Sequence, residues 1–265
     1  GFAGRRAATE ARGRLRGRGL SCYIELCATV SDRMEVRFDS SGGVSILAGT
    51  FSYGQGHETS YAQMIHEWLD VPIAKIRLVQ GDTDIIATGR GSFGSRSMTI
   101  GGSALRQACD QIIAKGARAA AILLDCAPED LAFTDGYYHG QGKLISLDQV
   151  AKTMFSWGAP RPLPAELRNG LDGVGHFSAD TQNYPNGCYV AEVEVDPETG
   201  EVTLDRIAGV DDVGTVINPL LLEGQVIGGV AQAVGQALKE GIVHDANGQV
   251  LTGAFTDYAM PHAAD

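Results

Sequence analysis

The sequence predicts an α+β protein built of hairpin sheets with flanking helices, arranged in two similar halves. Three observations predict it. Pairs of short β-branched runs flank turn residues, the signature of hairpins. Elsewhere apolar residues recur at helical spacing. One pattern also occurs twice. Val36-Arg37-Phe38-Asp39, a turn, Val44-Ser45-Ile46, then a glycine-rich turn and a helix is echoed by Val193-Glu194-Val195-Asp196, a turn, Val202-Thr203-Leu204, then Gly214 and a helix. Chance likeness between two hairpins is the rival reading of that echo.

The elements follow in order. Residues 21–28 alternate loosely and predict a strand. Met34–Phe38 and Val44–Ala48 flank Asp39-Ser40-Ser41-Gly42-Gly43 and predict a hairpin. Tyr61, Met64, Ile65, Trp68 and Leu69 fall on one helical face, which Pro72 ends. Ile76–Val79 reads as a short strand. A long helix follows Ser97, with Ala104, Leu105, Ala108, Ile112 and Ile113 as its stripe. Gly101-Gly102 near its start costs about 1 kcal/mol per glycine, so tight packing or a ligand must justify it. Residues 131–145 predict a hairpin, and Ser146-Leu147-Asp148-Gln149 has the form of a capping box. Residues 157–187 are rich in Gly, Pro and Asn and read as a long loop between a first part, 1–156, and a second, 188–265. Strands over 188–195 and 202–209 flank Asp196-Pro197-Glu198-Thr199-Gly200. Asn218-Pro219 supplies an N-cap and a proline at the first helical position, opening a helix to about Glu240. Asn247-Gly248 marks a last hairpin.

Bulk properties narrow the function. A formal net charge of −11 disfavours general binding to nucleic acid or anionic membrane. The one basic segment, Arg5, Arg6, Arg12, Arg14, Arg16 and Arg18, reads as a solvated helix face. No apolar run is long enough to span a bilayer, and no apolar core follows the basic part as in a targeting peptide. The five cysteines include no CxxC pair, which predicts buried, reduced thiols in a cytoplasmic protein and neither a disulfide scaffold nor a structural zinc. His66-Glu67 lacks the second histidine of a zincin, so no metal ligand is assigned. Gly1-Phe2-Ala3 has no initiator methionine, and the end at Asp265 has no closing element. A fragment of a longer protein is therefore expected.

Chemistry concentrates in the glycine clusters. Tyr53-Gly54-Gln55-Gly56-His57-Glu58-Thr59 and Gly91-Ser92-Phe93-Gly94-Ser95-Arg96-Ser97 each run into a helical pattern. Glycine lets backbone N–H groups approach an anion, and a helix N-terminus adds partial positive charge. Two such turns suit a long ligand with more than one polar region. In the last helix Gly228, Gly229 and Gln232 share one face. That face could receive a polar ligand edge or pack another helix. A nucleotide-binding protein of another kind is disfavoured: there is no GxxxxGK[ST] loop, and no GxGxxG follows a strand in a βαβ unit.

Taken in order, Gly-Gln-Gly-His-Glu-Thr, Gly-Ser-Phe-Gly-Ser-Arg-Ser, Val-Glu-Val-Asp-Pro-Glu-Thr-Gly, Ile-Asn-Pro and Gly-Gln-Val-Ile-Gly-Gly-Val-Ala-Gln resemble the large subunit of the molybdenum hydroxylases, the xanthine dehydrogenase and aldehyde oxidase superfamily. The wording is similar to the bacterial branch with aerobic carbon monoxide dehydrogenase large chains, from about Arg16 to Asp265. The resemblance implies that Gly54, Gln55, Gly56 and His57, together with Ser92, Phe93, Gly94, Ser95, Arg96 and Ser97, bind molybdopterin cytosine dinucleotide. It implies that Gln232 approaches the pterin, so that all three segments converge on one cleft. It also implies oxidation of an aldehyde, an N-heterocycle or carbon monoxide with water as oxygen source. The metal is then held by the pterin dithiolene and by no protein side chain. Implied partners are an iron–sulfur small subunit and an FAD-binding medium subunit, in a homo-dimer of heterotrimers. The family's catalytic glutamate is expected beyond Asp265, so no catalytic residue is named. The other reading is a cofactor-binding or assembly module, inert alone.

Overall fold

The computed structural model describes residues 1–156 and 162–263. The chain divides into two compact units, one of residues 26–184 and one of residues 1–25 with 185–265.

The larger unit is built on a four-stranded sheet of order β4-β3-β2-β8, from β2 (Asp32–Phe38), β3 (Val44–Ala48), β4 (Ile76–Val79) and β8 (Asp172–Phe177). The predicted hairpin is the β2–β3 pair, with Met34 facing Ala48 and Phe38 facing Val44. Alternation along β2 buries Met34, Val36 and Phe38 on one face. Helix α2 (His57–Leu69) adds Tyr61, Ile65 and Leu69 to the core, and α3 (Ser103–Leu124) adds Leu105, Ala108 and Ile112. A π-helical turn, Ser97–Gly102, precedes α3. Packing accounts for its glycine pair. A Cβ on Gly101 would meet Met34 Cε at 2.8 Å, and one on Gly102 would meet Met64 Cε at 3.0 Å.

Residues 157–187 correct the loop expectation. Positions 157–161 lie outside the described residues, but β8 follows and pairs with β2 along its length. Its glycines explain the misreading. A Cβ on Gly173 or Gly175 would strike the carbonyl oxygens of Ala108 and Ala104, so glycine here lets α3 lie against the strand. The predicted hairpin at 131–145 is a three-stranded meander of β5 (Ala132–Thr134), β6 (Tyr137–Gly140) and β7 (Lys143–Ser146). Its turns Asp135-Gly136 and Gln141-Gly142 have positive φ at both residues, the backbone that two-residue hairpins favour. Helix α4 (Leu147–Phe155) carries the predicted capping box: Ser146 Oγ accepts from Gln149 N at 3.1 Å, and Ser146 N donates to Gln149 Oε1 at 3.2 Å.

The smaller unit has an antiparallel sheet of order β1-β9-β10, from β1 (Leu15–Ile24), β9 (Asn186–Val195) and β10 (Val202–Asp212). Strand β1 begins six residues before the predicted start at 21 because its early alternation is of Arg with Gly and Leu, not of apolar with polar residues. Helix α1 (Phe2–Glu10) is short, and the basic segment is no solvated helix face. Arg16, only 4% exposed, pairs with Glu192 at 3.1 Å, Glu194 at 2.6 Å and Asp205 at 2.8 Å. Arg5 reaches Glu192 at 2.5 Å, and Arg12 reaches Glu194 at 2.6 Å. Hydrogen bonds from Thr9, Arg16 and Arg12 hold the Glu194 carboxyl down at about 2. In α5 (Pro219–Leu238) Asn218 Oδ1 accepts from Leu221 N at 2.9 Å, as the N-cap reading requires. The last hairpin is reduced to one bridge, His244 to Val250. Each unit thus holds a hairpin followed by a glycine of positive φ, Gly56 or Gly214, and then a helix.

Candidate cofactor-binding site

Both glycine-rich turns lie in the larger unit, and direct bonds join them. After β3 the chain passes Gly49, whose carbonyl accepts from Gly91 N at 3.0 Å. Phe51 N donates to Ser92 Oγ at 3.3 Å, and the Tyr53 hydroxyl donates to the Ser92 carbonyl. Ser92 is therefore the lace between the turns, and its hydroxyl also meets Ser97 Oγ at 2.7 Å. Beneath them the buried Tyr61 hydroxyl meets Thr50 Oγ1 at 2.9 Å and donates to the Ser97 carbonyl at 3.0 Å. Burial drives the Tyr61 pKa upward, so the hydroxyl stays a neutral donor.

The upper surface is backbone and aromatic rings. Gly54, Gly56, Gly91, Gly94 and Ser95 all have positive φ. A Cβ built on Gly54 or Gly91 would meet nothing within 4 Å. No side chain caps α2; Thr59 N and Ser60 N donate to the Gly56 carbonyl at 3.1 Å, and among the described residues no hydrogen bond takes the N–H of His57 or Glu58, the arrangement that attracts an anion. Among the described residues no hydrogen bond takes the N–H of Gly54, Phe93 or Gly94. Exposed Phe51, Tyr53 and Phe93 surround these amides.

Several predicted side chains do other work than expected. The Arg96 side chain is wholly buried: Nη1 lies 2.8 Å from Asp32 Oδ2 and donates to Gly91 O at 2.6 Å. Its Nη2 donates to Val30 O at 2.9 Å and Ser31 O at 3.1 Å. The approach to Asp32 Oδ2 is an ion contact by distance but misses hydrogen-bond geometry, leaving that oxygen and Arg96 Nε without hydrogen bonds. Arg96, which the resemblance assigns to the cofactor, thus braces the turn from within. His57 is likewise buried, packed against Tyr61 with ring centroids 5.0 Å apart and the rings tilted by 39°. Burial lowers its pKa, so the ring is neutral at pH 7, and its Nδ1 has no partner. Gln55 folds over its own loop, accepting from Tyr53 N at 2.6 Å. Gly94 carries a packing role besides, since its Cβ would lie 2.9 Å from Ala28 Cβ. Sequence reasoning missed Thr50, Tyr61 and Asp32. Tyr61 had been read as part of an apolar stripe, and its polar end gave no separate signal.

Gln232 lies on α5 in the smaller unit, exposed to solvent. Within the described residues a Cβ on Gly228 or Gly229 would meet nothing within 4 Å, so no helix of this chain packs on that face. No group of three or more His, Cys, Asp or Glu able to hold a metal occurs among the described residues. Among the described residues no helix is long and apolar enough to cross a membrane. These features fit a ligand gripped by backbone: outward glycine amides, an uncapped helix start and an orphaned buried imidazole nitrogen beside it.

Comparison with known proteins gives the family. The chain is 35% identical to the carbon monoxide dehydrogenase large chain of Afipia carboxidovorans over 251 residues, covering 94% of this chain and 30% of that protein. It is 30% identical to the xanthine dehydrogenase molybdenum-binding subunit of Escherichia coli O157:H7, covering 94% of this chain and 34% of that one. The solved structure of quinoline 2-oxidoreductase from Pseudomonas putida 86 matches with a TM-score of 0.87 at 31% identity, over 99% of this chain and 35% of that chain. The chain thus spans about a third of the length of these relatives. The model of the molybdopterin cofactor-binding domain matches residues 1–265. The chain belongs to the molybdopterin cofactor-binding domain family.

Proposed function

We propose that this chain is the molybdopterin-dinucleotide-binding part of the large subunit of a molybdenum hydroxylase that oxidises an aldehyde, an N-heterocycle or carbon monoxide. The observation that carries this is the lacing of two glycine-rich turns at Ser92 beside the uncapped start of α2. The outward amides of Gly54, Phe93 and Gly94 suit the oxygens of a diphosphate. The Ser95 hydroxyl and the Gln55 amide supply further donors, and Gln232 offers an amide to a pterin edge. Asp32, Arg96, Thr50 and Tyr61 hold the turns in shape from below. When bound, the cofactor would supply the redox chemistry, with water as oxygen source. We assign the dinucleotide as the cytosine form, and the partners as an iron–sulfur small subunit and an FAD-binding medium subunit in a cytoplasmic dimer of heterotrimers. No residue of this chain is assigned as catalytic base.

The test uses the full-length subunit. Gln55→Ala removes an amide that holds no buried partner, so the apo protein should keep its melting temperature while bound molybdenum and releasable cytidine nucleotide fall. Full molybdenum occupancy in that variant would overturn the assignment of Gln55. A second reading, a binding or assembly module inert alone, is favoured by the bare apolar surface of the smaller unit. There Leu220 is 78% and Val210 77% exposed. Substrate turnover by the isolated chain would exclude it.

A further inference from the structure

Cys22 and Cys188 depart from the expectation of buried thiols. They are facing residues of the antiparallel pair β1–β9, and their sulfurs lie 3.2 Å apart. Cys22 is exposed and Cys188 half-buried, whereas Cys27 and Cys109 are buried and Cys126 stands apart from any thiol partner. Facing antiparallel residues have Cα atoms about 4.5 or 5.5 Å apart, and both values fall inside the span of about 4.4–6.8 Å that disulfides take. A bond therefore needs side-chain rotation and no shift of the strands. Their neighbours on the same sheet face include Leu20, Ile24 and Val210, apolar and exposed, and the charged Asp212 opposite Asn186, which does not repel a small neutral oxidant.

We propose that Cys22 and Cys188 form a redox-active dithiol that closes to a cross-strand disulfide on meeting a hydroperoxide. The Cys22 thiolate attacks one peroxide oxygen, the O–O bond breaks, and a sulfenic acid forms as water leaves. The Cys188 sulfur then attacks the Cys22 sulfur, the S–S bond forms, and the sulfenic oxygen leaves as a second water. Two thiols lose two electrons and two protons, and one hydrogen peroxide becomes two waters. Cys22 leads because it is the exposed sulfur. The Cys188 thiol is pushed up first by its hydrogen bond with Cys22 and then by burial, so it serves as the resolving partner.

The test treats the full-length protein, in its native assembly, with hydrogen peroxide, blocks remaining thiols with N-ethylmaleimide, and digests without reductant. Trypsin places Cys22 in the peptide 19–33 and Cys188 in the peptide 169–206. The expected product is these two peptides linked, with fragmentation placing the bond on Cys22 rather than Cys27, and with dithiothreitol reversing it. Alkylation of Cys22 and Cys188 should be lost together while that of Cys126 is unchanged. Cys188→Ser should leave Cys22 trappable by dimedone as sulfenic acid, and Cys22→Ser should abolish the link. A melting curve under reductant checks that both variants fold, and Cys188→Ala or Cys22→Ala replaces the corresponding serine variant if it does not. Absence of the linked peptide, a bond on Cys27, or independent oxidation of the two thiols would overturn the proposal.

Discussion

The Asp32–Arg96 pair offers the sharpest quantitative test, because both side chains are fully excluded from solvent. Consider Asp32→Asn. Asp32 Oδ1 now accepts from Arg33 N at 2.8 Å, and Oδ2 lies 2.8 Å from Arg96 Nη1. The asparagine NH2 must take one of those places, so a donor meets a donor whichever way the amide is turned. The guanidinium keeps its carbonyl partners but loses Asp32 as its buried countercharge. Breaking a buried pair from one side costs about 3–5 kcal/mol. In a unit of this size each kcal/mol shifts the melting temperature by about 2–4 °C, so a fall of roughly 6–20 °C is expected. The control is Asp110→Asn, which breaks an exposed pair with Arg106 and should cost about 1 kcal/mol or less. Urea unfolding at pH 7, followed by fluorescence and by circular dichroism, measures both. Added salt should not erase the difference, since screening acts weakly on a dry pair. If Asp32→Asn costs no more than the control, the bracing role assigned to Arg96 is wrong.

Other expectations follow from the same geometry. Tyr61→Phe leaves Thr50 Oγ1 and the Ser97 carbonyl short of a buried partner, so urea unfolding should show a loss of about 1–3 kcal/mol. Gly175→Ala should be more damaging than most core substitutions, because its Cβ runs into the Ala104 carbonyl; thermal melting as stable as the parent's would contradict the α3–β8 packing. Gly228→Ala should instead raise apo stability by about 1 kcal/mol, as for an open helical site, and a loss would mean that something packs there. Glu194 is held at about 2 in the folded chain against an ordinary 4.5. A depressed carboxyl stabilises above its unfolded value, so its contribution is intact at neutral pH and is lost as pH falls from about 4.5 toward 2. Hydrogen exchange of α1 amides, followed through that window, should show α1 loosening there, and Glu194→Gln should flatten the response.

Legibility in the sequence depended on whether a signal was local. The capping box at Ser146, the Asn218-Pro219 helix start and the β2–β3 hairpin each depend on a few neighbouring residues, and each is present. Failures came where a partner distant in sequence decides the outcome. Strand β1 is specified by Arg16, which matches Glu192 and Glu194 across 176 and 178 residues. Strand β8 is specified by glycines whose purpose appears only when α3 lies on them. Neither pattern resembles an apolar alternation.

The binding motifs show the same limit in sharper form. Read as strings, Gly-Gln-Gly-His and Gly-Ser-Phe-Gly-Ser-Arg-Ser invite the assignment of each polar side chain to the ligand. In the fold, the bulkiest polar side chains of these strings point the other way. His57 is buried against Tyr61 and Arg96 donates to the Gly91, Val30 and Ser31 carbonyls. A left-handed backbone carries a strain cost of order 1–3 kcal/mol where the residue is not glycine, as at Ser95. Such a turn persists only if something fixes both its ends. Arg96 fixes the second turn by gripping its first carbonyl, and Tyr61 fixes it to the first through Thr50 and Ser97. The inward side chains and the outward amides are then two parts of one device: rigidity supplied from below makes the glycine backbone a preformed cradle. The two strings therefore place His57 and Arg96 beneath the turns, where they set the shape of the backbone above them.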